Sequence, residues 1–185
     1  MSGSGDSENR ITAFRRLVVF CGIPGSGKTT IASILASKLP RACHIQTDVV
    51  RSTIPHPKFT GPESRFVYGA SVGLARAALV AGYDVILDGT FQKEAFRRGA
   101  IAKLSRFSSF RLVVWVATDP GVALERNAQR PSTVPRMTLF RILQSFEEPQ
   151  RGLRIDSTST PPEVAADLIL ANLEWHRSRS ADRLH

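Results

Sequence analysis

Gly22, Gly27, Lys28 and Thr29 stand at the spacing G-x-x-x-x-G-K-[ST] inside the run LVVFCGIPGSGKTT at 17–30. Glycines at such positions let a loop turn tightly and aim its backbone N–H groups inward, where they can cradle phosphate oxygens. The lysine then reaches the β/γ-phosphates, and the hydroxyl beside it suits Mg2+. Pro24, Gly25, Ser26 and Thr30 complete the same loop and belong to its expected nucleotide-contact surface. The motif carries this meaning only between a strand and a helix. Leu17 to Cys21 suits a buried strand and Thr29 to Leu39 suits a helix, so ATP or GTP binding is expected, with Lys28 as a catalytic cation and Thr29 as a metal-side hydroxyl.

Other residues could complete a phosphoryl-transfer site. Asp48 lies in T-D-V-V-R at 47–51, after a short strand expected over Cys43–Thr47. In open parallel α/β sheets ligands gather at the carboxyl ends of strands. A carboxylate there could align an acceptor hydroxyl and take its proton as the phosphoryl group arrives. Arg51, one turn on, could hold an acceptor-side anion; an N-cap aspartate followed by a solvated arginine is the alternative. Asp88 ends the apolar strand Asp84–Leu87 and is followed by Gly-Thr, which suits a carboxylate on the metal side, or else a helix cap. Arg126 and Arg130 are four apart and share a helix face. Their guanidinium groups could clamp phosphate oxygens or stack on adenine, or form a solvated basic face. The proline-bounded segment after them, Pro131 to Arg136, is where a closing lid is expected.

The elements that must position these groups follow from hydrophobic pattern. Residues 1–14 read as a polar arm, 15–177 as one domain and 178–185 as a basic tail. Helices are expected over Glu63–Gly82, with an inward stripe of Phe66, Ala70, Leu74, Ala77 and Ala78, and over Gln92–Arg106, exposed and rich in Lys and Arg. FRLVVWVA at 110–117 has too little polar alternation for a half-exposed strand. Asp119-Pro120 opens a further helix in N-cap style, Met137–Glu147 reads as helix, Leu153–Asp156 as a last strand and Pro161–His176 as a closing helix. Strand then helix, five times over, implies a parallel sheet covered on both faces.

Composition narrows the class. No apolar stretch approaches the roughly 20 residues of a membrane span, and the start MSGSGDSENR carries no apolar signal core; a cytoplasmic protein is expected. Cys21 and Cys43 read as small buried hydrophobes, since they form no C-x-x-C pair. A formal charge of +9 suits an anionic second substrate such as nucleic acid, although a merely solubilising surface charge would look the same. The segment 49–66 mixes prolines, cations and aromatics and reads as a substrate-covering excursion. On it phosphates could meet Arg51, Lys58 or Arg65 and a base could stack on Phe59, Phe66 or Tyr68.

Taken together, G-I-P-G-S-G-K-T-T, T-D-V-V-R, D-G-T-F with a following R-R, L-E-R-N-x-x-R, V-P and S-F-E-E-P resemble the small AAA-like P-loop kinases: the polynucleotide kinase domain, the kinase domain of L-seryl-tRNA(Sec) kinase and the Kti-type tRNA-modification ATPases. The resemblance spans about residues 17–156. It implies a five-stranded α/β P-loop kinase fold with a small lid, ATP and Mg2+ as cofactors, and γ-phosphoryl transfer to a hydroxyl on RNA, tRNA or DNA. By the same resemblance Asp48 matches the general base, Arg51 the acceptor-side arginine, Asp88 the metal-side carboxylate, and Arg126 and Arg130 the lid arginines. Two departures stand out: D-G-T replaces the D-[ST]-N of several relatives, and only a short stretch follows Ile155 where seryl-tRNA kinases carry a tRNA-binding domain. A nucleotide-gated tRNA- or protein-binding ATPase and a small-metabolite kinase are the alternative functions.

Overall fold

The computed structural model describes residues 14–129 and 134–181. Residues 1–13 of the expected arm, Arg130 with the lid residues 131–133, and residues 182–185 of the expected tail lie outside the described residues. Five strands, β1 (Arg16–Cys21), β2 (Ala42–Gln46), β3 (Asp84–Asp88), β4 (Phe110–Ala117) and β5 (Leu153–Asp156), form a parallel sheet in the order β2-β3-β1-β4-β5. Among the described residues seven α-helices connect and cover it: α1 (Lys28–Lys38), α2 (Thr47–Arg51), α3 (Gly61–Val80), α4 (Glu94–Leu104), α5 (Pro120–Ala128), α6 (Arg136–Ser145) and α7 (Pro162–Ala181). The first residues of the expected basic tail are therefore the last turn of α7. Among the described residues no helix is long and apolar enough to cross a membrane.

β1 takes the middle of the sheet because it is apolar on both sides, and Leu17 to Cys21 are all at most 1% exposed. Val18 and Phe20 face Ile31 and Leu35 of α1 and Ile169 and Leu173 of α7. Leu17 and Val19 face Ala75 and Leu79 of α3 and Ala100 and Leu104 of α4. At the opposite end from the phosphate loop, Arg16 is buried and paired with Asp84 of β3: its backbone N–H donates to Oδ1 at 2.7 Å and its side-chain Nε to Oδ2 at 2.9 Å. A buried charge is tolerated when so matched, and deleting one partner strands the other.

Register then decides what meets at the other edge. Phe20 lies opposite Asp88, and Asp88 opposite Gln46. The chain segments leaving these three strands, Gly22 onward, Gly89 onward and Thr47 onward, emerge side by side.

The structure corrects several expectations. β2 ends at Gln46, so Asp48 sits in the first turn of α2 rather than at a strand tip. The buried stripe of α3 is Val67, Ser71, Ala75 and Leu79, while Phe66 and Leu74 are 57% and 53% exposed. Both stripes have helical spacing, so periodicity alone does not choose between them. Ser71 is acceptable inside because its hydroxyl donates to the Val67 carbonyl at 2.8 Å. α4 begins two residues later than expected and is not wholly exposed, since Arg97 is 1% exposed. That guanidinium donates to the Phe91 carbonyl at 2.7 Å and pairs with Glu94 at 2.7 Å, which satisfies a charge that hydropathy would place outside.

Candidate active site

Between β1 and α1 the chain turns at Gly22 and Gly27, with φ 148° and 82°. Gly25, φ 84°, is pressed against α5: a Cβ there would lie 2.1 Å from the Ala123 carbonyl oxygen, so no side chain fits. The loop is tied on both flanks. Gly22 N–H donates to the Thr90 carbonyl at 3.2 Å, and the Ser157 hydroxyl, after β5, donates to the Ser26 carbonyl at 2.8 Å. Lys28 folds back across the loop, its Nζ donating to the Ile23 carbonyl at 2.7 Å and to Ser26 Oγ at 3.2 Å. The result is a glycine cradle at a helix N-terminus with a lysine over it, which is the shape and charge a polyphosphate requires.

A cavity of about 290 Å3 opens on one side of this loop. Pro24, Lys28, Thr29, Asp48 and Asp88 reach it from the loop and the sheet edge. Asp88 is buried, and His44 Nε2 lies 3.3 Å from its Oδ2. The D-G-T departure has a local cause: a Cβ on Gly89 would stand 2.6 Å from the hydroxyl of buried Thr47, so the threonine that begins α2 and a side chain at 89 exclude one another. Thr29 and Asp88 offer oxygen donors, and among the described residues no group of three or more His, Cys, Asp or Glu could hold a metal. This sparse oxygen set fits Mg2+, which keeps waters and takes substrate phosphates rather than a full protein cage.

The outer walls of the cavity come from the 51–68 segment and from α6. Arg51 pairs with Glu63 and lies 4.8 Å from the Phe59 ring centre. Glu63 also accepts from the Lys58 and Phe59 N–H groups at 2.8 and 3.2 Å. Burial pushes its carboxyl up, but the Lys58 amide, then Arg51 and the Phe59 amide, outweigh this and hold it below 4.5. Arg51 thus lines the cavity with Glu63 as the ion-pair partner of its Nη1. Tyr68 is unsuited to stacking a base, because its ring packs on Phe91 and Phe96 at 4.6 and 4.8 Å; Phe59 has one face on Arg51, while Phe66 points outward. Burial pushes the Tyr68 hydroxyl up to about 12, so it stays protonated; it accepts from Phe91 N–H at 3.2 Å.

A second cleft, about 410 Å3, lies on the other side of the loop. Gly27, Thr30 and Arg126 line it with Thr158, Thr160 and Pro161 from the segment after β5. Arg126 donates to the Ser157 carbonyl at 3.1 Å. The structure therefore brings Lys28, Thr29, Asp48, Arg51 and Asp88 to one cavity and places Arg126 and Thr30 at another. Asn127, next to Arg126, ties the two together: its side-chain amide donates to the Val134 carbonyl at 3.1 Å and accepts from Val134 N–H at 3.2 Å, and Val134 lines the first cavity.

Sequence reasoning missed Arg141, which enters the first cavity from α6 with Thr138 and Ser145. The spacing of 138, 141 and 145 on one face of a helix was the available signal. It also missed Glu147, in S-F-E-E-P, whose carboxylate accepts from Glu94 N–H at 2.8 Å and from Lys93 at 3.0 Å, capping α4 from a distant loop; no local pattern reveals such a cap. Cys21 fits its expected buried role, and burial pushes its thiol up to about 12, leaving it uncharged and unreactive.

Comparisons with known proteins agree with this geometry. The family model described as AAA domain, AAA_33, matches residues 17–149. Among solved structures, the Mycobacterium tuberculosis APS kinase CysC in complex with AMPPNP and APS superposes with a TM-score of 0.71 at 17% identity, covering 86% of this chain and 98% of that one. A gluconokinase from Sinorhizobium meliloti 1021 gives 0.63 at 18% identity, covering 89% and 98%. A chain of the Pnkp1/Rnl/Hen1 RNA repair complex gives 0.61 at 15% identity, covering 75% and 46%. At such identities the likeness carries the fold alone, whereas the family match spans most of the chain. With its five parallel strands, its glycine cradle and that match, the chain belongs to the AAA domain family and has the α/β fold of a small P-loop kinase.

Proposed function

We propose that the protein is an ATP-dependent kinase that transfers the γ-phosphoryl group to a hydroxyl. The observation that carries this reading is the phosphate loop standing between two unlike clefts. The cleft with Arg126, threonines and prolines suits the base and ribose side of a nucleotide. The cavity with Asp48 suits the acceptor. In this reading the loop amides and Lys28 bind the phosphates, Asp48 orients the acceptor hydroxyl and receives its proton, and α6 shields the site from water. Mg2+, held by Thr29 and Asp88, would neutralise charge on the phosphate oxygens. Arg126 acts on the base side of the nucleotide; a role for Arg130 as a second lid arginine is part of the proposal drawn from its place in the sequence.

A nucleic-acid end is the second reading of the acceptor. One observation favours it. On the outer flank of α3 and α4, the guanidinium groups of Arg76 and Arg106 lie 5.1 and 4.7 Å from the Phe107 ring centre, and Lys103 joins them around an open groove. Such a basic, aromatic groove could carry a strand beyond its terminal nucleotide. The cavity itself, about 290 Å3, favours an acceptor, or an acceptor end, of small-molecule size.

The deciding experiment offers purified protein γ-labelled ATP and Mg2+ with separate pools of hydroxyl-bearing metabolites, RNA and DNA. Label appearing on any pool supports the kinase. ATP turnover with label released only as inorganic phosphate in every pool overturns it in favour of a nucleotide-gated binding ATPase.

A further inference from the structure

The hydrogen-bonding character of the acceptor cavity is lopsided. Its inner end presents the carboxylates of Asp48 and Asp88, beside Lys28. Its outer walls present donors. Arg141 enters from α6 and Lys58 from the loop before α3. Both are exposed, and among the described residues neither side chain makes a hydrogen bond or an ion pair. The contrast with Arg51 is informative, since that cation has Glu63 as its partner. Two cations from separate elements line one cavity of about 290 Å3 with no carboxylate committed to either. Tyr68 adds a further donor: its oxygen accepts from Phe91 N–H, and among the described residues its own proton has no acceptor. Thr138 and Ser145, on the face of α6 that carries Arg141, supply hydroxyls that can donate as well.

Arginine, lysine and a neutral tyrosine hydroxyl have donors to offer, and the two cations have no acceptor at all. A neutral polyol would offer both charges only neutral hydroxyl oxygens, acceptors no stronger than water. A phosphate, sulfate or carboxylate would satisfy them through charge-assisted hydrogen bonds, with arginine able to engage two oxygens at once. Resting on the kinase reading above, we propose that the acceptor is a small alcohol bearing its own anionic group, which Arg141 and Lys58 grip while the hydroxyl lies at Asp48. Arg141 and Lys58 then set specificity.

The test uses the full chain, γ-labelled ATP and Mg2+ with matched acceptors differing only in the anion: a sugar and its phosphate, a polyol and the corresponding hydroxy acid, a nucleoside and its monophosphate. At least one charged member should be phosphorylated with kcat/KM on the order of tenfold or more above its neutral counterpart, the weight of one charge-assisted contact. Arg141→Ala should raise KM for that acceptor about tenfold with kcat less affected, Arg141→Lys should recover part of the loss, and Lys58→Ala should act in the same direction. Circular dichroism establishes that each variant is folded. Equal efficiency for charged and neutral members, or an Arg141→Ala effect on kcat alone, overturns the anion subsite while the kinase stands. A 5′-hydroxyl oligonucleotide used tenfold better than every small acceptor overturns the small-molecule class in favour of the nucleic-acid end. Tight binding of an ATP analogue without transfer to any acceptor overturns the kinase reading, and the subsite with it.

Discussion

The two clefts flanking the phosphate loop are built from different material. The cavity on the Asp48 side is walled by charged side chains drawn from separate helices and loops, and its inner edge is the rigid sheet, where Asp88 is fixed by register between Phe20 and Gln46. The cleft on the Arg126 side is walled by Gly27, Thr30 and Ile31 of the loop and α1, by hydroxyls and prolines of the segment after β5, and by the Arg126 guanidinium. The first can discriminate among ligands by charge and carries the groups that could move a proton. The second has little with which to do chemistry, and much with which to hold a flat, polar ligand edge through backbone and hydroxyl groups. Placement of chemistry on one side and recognition on the other suits a reaction in which one substrate is constant and the other is selected.

Substitutions on the loop and in each cleft should therefore separate. Lys28→Ala lies between them and should have the largest effect: a loss of phosphoryl transfer on the order of 10²-fold or more, because its charge acts on the transferring phosphate in a water-poor site. Transfer assays on folded variant would check this, and retention of more than about a tenth of the activity, a change under about 1.4 kcal/mol, would falsify the role. Asp48→Asn should lower kcat by roughly 10²-fold with ATP affinity nearly intact, since only the acceptor side is touched. Calorimetric binding of an ATP analogue beside steady-state kinetics reads out both quantities. Weaker ATP binding with kcat spared would instead move Asp48 to the metal side and blur the division between the clefts.

Arg126→Ala should do the opposite and more mildly, raising KM for ATP by about tenfold while KM for the acceptor stays within about twofold, as expected for loss of one charge-assisted or stacking contact. An equal rise in both constants would mean that the clefts act as one unit through Asn127.

The smallest effect distinguishes the walls by acid. Burial raises the Glu63 carboxyl, yet the Lys58 amide and Arg51 hold it net below 4.5. The Thr158 amide and hydroxyl hold Asp156, beside the other cleft, below 3.8. Each folded-state value lies under the unfolded one, so each contribution to stability is complete above the unfolded value and is lost as pH falls through the folded one. The amide resonances of Lys58 and Phe59 should therefore titrate with a midpoint below 4.5, and that of Thr158 with a midpoint below 3.8. A midpoint near 6 at either wall would show that its carboxylate is not held as described.

Much of the fold was legible because its signals are local. A wholly apolar strand such as β1 has no polar side to turn to water, so its central position follows from composition. The glycines and Lys28 announce a loop whose geometry only glycine permits, and Asp119-Pro120 caps α5 through Gly121 and Val122 N–H as its residue types lead one to expect. The same reasoning failed on α3, where two stripes of equal period compete and the sheet takes the one containing Ser71. It failed on Arg97 and Glu147, whose partners make a buried cation and a remote helix cap affordable.

What the sequence determined by itself is the phosphate loop, the parallel strand–helix alternation and the candidate carboxylates, because each depends on side-chain type and near-neighbour spacing. Only the tertiary structure decided that Arg126 stands apart from Asp48 and Arg51, that Arg51 pairs with Glu63, and that Arg141 and Lys58 line the Asp48-side cavity with, among the described residues, no carboxylate paired to either. These facts depend on which segments the sheet register sets side by side. Electrostatic pairing is settled by distance in space, and spacing along the chain carries almost no information about it once elements tens of residues apart are folded against one another.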